Sequence, residues 1–239
     1  MRAAISRNLQ ISLAYWLTGL ASLQLAVPPG YTAPAFPPAG IALSALLIFG
    51  LRCWPAVYVG SLLVQIHAAW PLLGTPGWNP LGPLIVPLGA TVQAAAGAVL
   101  ARRLIGFPNA LDTPRSVVLF LAVAAPISSL ISPSLAIPAL VWAGVIPEAD
   151  SLFNWWTWWT GDTLGVLIAA PLMFVVVGRP ATAWRSRRRG VVVPMAIALV
   201  LLALAYRQVM HWEDLRLESQ FARDAEHVAD RVQKRLDVQ

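Results

Sequence analysis

The sequence predicts an all-α fold, a polytopic transmembrane helical bundle of about seven net spans with one span broken by prolines. Three observations carry that expectation. Of the 239 residues, 58% are hydrophobic and only 12% are charged; a soluble domain is nearer to roughly 25% charged. Apolar segments recur along the chain at 9–27, 38–51, 54–70, 81–101, 115–146, 153–177 and 191–210. The arginines fall in short clusters between these runs, as topology signals do.

That same clustering argues against nucleic acid as the partner behind the net charge of +6. The single cysteine, Cys53, excludes an intrachain disulfide and a cysteine-based metal site. No G-x-S-x-G, H-E-x-x-H or phosphate-loop motif occurs, so no catalytic residue, metal or identifiable cofactor is expected. The opening "MRAAISRNLQ" mimics a signal peptide, but the spans that follow make it the approach to a first transmembrane helix.

Taken in order, residues 1–8 form a cytoplasmic N-terminus and 9–178 the membrane bundle. After the first span comes "PPGYTAPAFPPAG", with proline at 28, 29, 34, 37 and 38. Proline lacks a backbone donor and does not fit a helix interior. The helix that follows reaches only about 20 Å before Arg52, too short to cross alone. The extended "AFPPAG" is therefore expected to dip into the outer leaflet, against protein or a wet cavity. "GLRCWP" reads as a tight inside turn, with Trp54 at the interface and Pro55 opening the next helix.

The segment 115–146 is too long for one straight crossing and contains Pro126, Pro133 and Pro138. If it crosses once, Arg2, Arg7, Arg52, Arg102, Arg103, Arg115 and the arginines of "GRPATAWRSRRRG" share one side, opposite Glu148 and Asp150. The positive-inside rule favours that arrangement. It makes 179–190 a cytoplasmic basic loop, 191–210 a linking span and 211–239 an extracytoplasmic tail. In that tail Leu217, Phe221, Val228, Val232 and Leu236 recur at helical spacing, so it reads as an amphipathic helix opening a further domain.

The candidate site lies in a polar layer. A carboxylate in mid-span costs about 2.5–3.5 kcal/mol on insertion scales and normally faces the bundle interior. In "NWWTWWTGDTLGVLIAAPL", Trp158, Asp162, Gly165 and Ala169 share a helical face, and small residues there let helices approach closely. By helical rise His67 reaches a depth similar to that of Asp162. Gln93 sits between Gly89 and Gly97 on a small stripe, and Gln65 is a weaker candidate. Together these suggest an outward-opening pocket floored by Asp162, His67 and Gln93 and walled by tryptophans. The plainer readings are an interhelical lock at Asp162, a packed histidine at 67 and an interfacial tryptophan belt.

Two stretches resemble one family. "FPPAGIALSALLIFGLRCWPAVYVGSLL" (36–63) is similar to the pattern W-P-p-x-G-i-a-l-a…G-x-r-x-W-P…G-s-f of the first membrane-associated sensor family, MASE type one. "WWTGDTLGVLIAAPL" (158–172) resembles its second signature, W-x-G-D-x-x-G-x-L-x-x-x-P. The matching positions are Pro37, Pro38, Gly40, Gly50, Arg52, Trp54, Pro55, Gly60, Trp159, Gly161, Asp162, Gly165 and Pro171, with Phe36 where the family usually has tryptophan.

The resemblance, over about 10–178, implies an input module of a bacterial histidine kinase or cyclic-di-GMP turnover protein in the inner membrane, as a homodimer. Its ligand is unknown, and the effector is expected beyond residue 239. The tail resembles the first helix of a CHASE domain. A membrane carrier and a purely structural receptor anchor are the alternatives; no inverted repeat in hydropathy favours the carrier.

Overall fold

The computed structural model describes residues 2–25, 33–70, 79–108, 111–202, 204–205 and 208. Two compact units divide the chain, 1–198 and 199–239. In the first unit the described elements are all helical: α1 (Arg2–Leu23), α2 (Pro37–Phe49), α3 (Trp54–Ala69), α4 (Leu81–Ile105), α5 (Pro114–Val118), α6 (Ala125–Ser129), α7 (Ile131–Trp142), α8 (Ser151–Val177) and α9 (Ala181–Ser186). Residues 188–198 are helical too. In the second unit 199–202, 204, 205 and 208 are helical, and the expected amphipathic tail lies outside the described residues.

Among the described residues three helical runs are long and apolar enough to cross a membrane: Leu81–Ile105, Pro114–Trp142 and Glu148–Val177. Pro37–Phe49 is a shorter apolar helix, as the proline-rich entry predicts. The run Pro114–Trp142 joins α5, a π-helical turn at Leu119–Ala124, α6 and α7 into one traverse. The prolines of this run leave the helix modified but not reversed. Thr113 starts it, its hydroxyl accepting from the Ser116 amide at 3.2 Å.

Helix α2 is the centre of the bundle: eleven of its thirteen residues, Pro38 to Ile48, are buried. Pro37 and Pro38 occupy its first turn, where a missing amide donor costs nothing. Its last carbonyls are covered from α4, the Arg102 guanidinium donating to Leu47 O at 2.8 Å and Leu46 O at 3.4 Å. Gly50 follows at φ 96°, a backbone conformation that glycine adopts without a side-chain penalty. It turns the chain into Leu51–Cys53 and then α3, which Pro55 opens.

Arginines gather at this end of the bundle. Arg7 of α1 lies 5.2 Å from the centre of the Phe49 ring, and Arg102 lies 5.9 Å from that of Phe107. Arg187 donates to Leu111 O at 3.5 Å. Trp184 of α9 is buried against Phe174 near the end of α8, with ring centres 5.3 Å apart.

Candidate ligand cavity

The site begins with two glycines. Gly161 and Gly165 lie one turn apart on α8, and the extended segment 33–36 runs against them. The Phe36 amide donates to Gly161 O at 2.9 Å. A Cβ on Gly161 would run into Ala33 O, and one on Gly165 into Phe36 O. One turn into α2, a Cβ on Gly40 would meet Gly165 O at 2.5 Å. Non-helical backbone thus reaches the level of Gly161, about 15 Å along α8 from its start. Protein satisfies it there, as irregular backbone at membrane depth requires.

One residue beyond Gly161, Asp162 is buried, with 3% of its surface exposed. Its Oδ2 accepts from Gln93 Nε2 of α4 at 2.9 Å. Gln93 Oε1 in turn accepts from the Ser132 amide of α7 at 3.1 Å. The glycine stripe places Gln93 for both bonds, since Gly89 packs on Ser132 and Gly97 on Ser128. Trp158, one turn before Asp162 on α8, lines the same space. The chain of bonds from α8 through α4 ends on a backbone donor just past Leu130, where the regular ladder between α6 and α7 is interrupted. Trp159 answers the same interruption from the other side, its indole donating to Pro126 O at 2.9 Å.

A pocket opens beside this chain, with about 630 Å³ of empty space, its open mouth included. Asp162, Gln93, Gln65 and Trp158 line it, so four of the five candidates converge. The fifth does not. His67 is exposed and absent from the pocket wall, which corrects the expected convergence of imidazole and carboxylate. The cover on its face of α3 comes from α1, where Tyr15 packs on Gly60 and Val64 on Gly19. Helix α1 ends at Leu23, and residues 66–68 of α3 are all exposed. The tryptophan wall also shrinks to Trp158. Trp155, Trp156 and Trp159 form their own cluster, Trp155 and Trp159 stacked at 6.3 Å and Trp156 edge-on to both.

The remaining motif residues lie outside the pocket wall. Trp54 is 53% exposed, Arg52 is exposed, and Pro171 lies inside α8. Sequence reasoning missed Tyr15, Ser61 and Ser132, which also line the pocket. Tyr15 is buried and meets the Phe36 ring edge-on at 6.1 Å. The close approach of α1 to Gly60 was the available signal, but one sequence does not say which helix fills a glycine notch. Among the described residues no cluster of three or more metal-ligating side chains occurs.

Residues 7–212 match the family model of MASE1. No curated protein and no solved structure matches the chain. The match takes in both sequence motifs, and in three dimensions those motifs are the two halves of one seam, the Phe36–Gly40 entry to α2 laid on Gly161 and Gly165. The chain therefore belongs to MASE1, the membrane-associated sensory domains of signalling proteins.

Proposed function

We propose that this chain is the input module of a bacterial receptor, a histidine kinase or a cyclic-di-GMP turnover protein, and that the cavity beside Asp162 receives its signal. One observation carries the reading: a buried carboxylate on a cavity wall is tied through Gln93 to the backbone of a broken helix. A ligand that engages Asp162 shares the carboxylate with Gln93 and so alters the strength of that bond. It therefore favours one packing of α7 against α4 over another, provided its affinity for the two packings differs. The segment 191–210 carries that bias out of the bundle. The arginines gathered at one end of the bundle support a cytoplasmic N-terminus in the inner membrane. Pairing of two such modules in a homodimer would bring the tails together.

The test uses the full receptor in its native membrane. Asp162→Asn keeps the size of the side chain and its bond to Gln93 while removing the charge. It is expected to abolish the change in effector output while the membrane level stays normal. An unaltered response in that variant sinks the proposal. The same hydrogen bonds also suit a structural lock, because polar side chains bridge membrane helices at about 0.6 kcal/mol each. Replacing residues 1–190 by an unrelated membrane anchor separates the two readings. An anchor keeps the receptor responsive, and a sensor does not.

A further inference from the structure

We propose that the cavity takes a small organic ammonium cation, held by the Asp162 carboxylate and faced by the rings of Tyr15, Phe36 and Trp158. The proposal deepens the sensory reading of this site and relies on it only for the signalling consequence. Among the described residues that line the cavity, Asp162 is the sole carboxylate, and there is no arginine, lysine or histidine. An anionic ligand would meet that carboxylate with no cation to offset it.

Gln93 cannot turn to help an anion, because its amide donates to Asp162 while its carbonyl is held by the Ser132 amide. A carboxylate has about four acceptor positions. Gln93 supplies one donor, which leaves capacity toward the cavity. A purely apolar ligand would displace water from the carboxylate and leave that capacity unfilled, at a cost in affinity. An ammonium head brings both the charge and the donors. Aromatic faces attract cations, most strongly where water is displaced. The apolar part of the wall, including Leu23, Val64 and Val86, suits a short alkyl portion.

The test is thermal unfolding of the purified full chain in a non-ionic maltoside detergent, with three probes that each carry a butyl group: butylammonium, 1-pentanol (butyl–CH2OH) and pentanoate. Butylammonium is expected to raise the melting temperature saturably, and the alcohol and the carboxylate are not. Asp162→Asn should weaken butylammonium by about tenfold or more, as expected on removing one partner of a buried charge pair. Trp158→Leu leaves the carboxylate in place and should weaken it about fivefold, the scale of one partly screened cation–π contact. That second variant decides the matter if Asp162→Asn does not fold.

Equal shifts from butylammonium and pentanol, or full affinity in Trp158→Leu, overturn the ammonium site. If butylammonium does not bind but Asp162→Asn still silences the receptor, the ligand class is wrong and the sensory site stands. If it binds as described and Asp162→Asn leaves receptor output unaltered, the cation site stands and the sensory reading falls.

Discussion

Helix α8 meets its neighbours in two unlike ways within one turn. Toward α2 the contact is backbone on backbone: Gly161 and Gly165 admit Ala33 O and Phe36 O, and Gly40 closes on Gly165 O. The one side-chain atom among these nearest contacts is the Ala169 methyl, beside Gly40. At Asp162, about 100° around the helix from Gly161, contact with α4 and α7 runs through side-chain hydrogen bonds, with a cavity beside them. A seam set by shape has one low-energy arrangement, because close-packed surfaces do not deform continuously. A contact made of hydrogen bonds beside a cavity can exchange partners. The sensory module as proposed needs both, a fixed reference and an adjustable neighbour, and α8 carries them on adjacent faces.

The largest expected effect tests the rigid face. In Gly165→Ala the new methyl meets the Phe36 carbonyl, which belongs to the main chain and cannot swing aside. Overpacking of this kind costs about 3 kcal/mol or more. The variant is expected to lose most of its folded yield in detergent, read as the monodisperse fraction by size exclusion. Asp162→Asn, one turn away, should keep its folded yield. A Gly165→Ala protein that purifies and melts like the parent would erase the distinction between the two faces.

How much of this was legible depended on whether a feature was local. Each half of the seam was readable by itself, "FPPAG" as an extended entry against protein and "TGDTLG" as a small, contact-prone face, but that the two meet was not. The pairing of Gln93 with Asp162 was readable from a polar residue framed by Gly89 and Gly97 and from matching depth. His67 passed the same depth test and failed, because rise along a helix fixes height but not the neighbours that cover it. Its side chain is exposed even though α1 still runs beside α3 there, Gly19 packing on Val64 one turn earlier. Arg102 read only as a topology marker, yet it also closes the carbonyl end of α2, a contact 55 residues away in sequence that no local pattern announces. Tyr15 gave no signal within an otherwise ordinary first span.

A smaller effect sharpens the comparison at the broken helix. Trp159→Phe keeps the aromatic cluster but removes the indole donor to Pro126 O. Leaving that carbonyl unpaired should cost about 1–2 kcal/mol, seen as a lower melting temperature. Receptor output should still respond, since Trp159 is absent from the cavity wall. If Trp159→Phe instead uncouples the receptor at normal stability, the interruption at Leu130 belongs to the signalling element rather than to its support.

The smallest effect belongs to His67→Ala. An exposed side chain outside the cavity should change stability by no more than about 0.5 kcal/mol and leave both receptor response and butylammonium binding at parental values. His67 and Asp162 stand at similar depth by helical rise, so the pair isolates what burial and partners add to position. Burial puts the carboxylate on the wall of a cavity with a glutamine fixed against it, whereas the imidazole is left at the surface. Loss of response in His67→Ala at normal membrane level would show that depth alone was the better guide. The responsive surface would then extend along the last turn of α3, beyond the cavity.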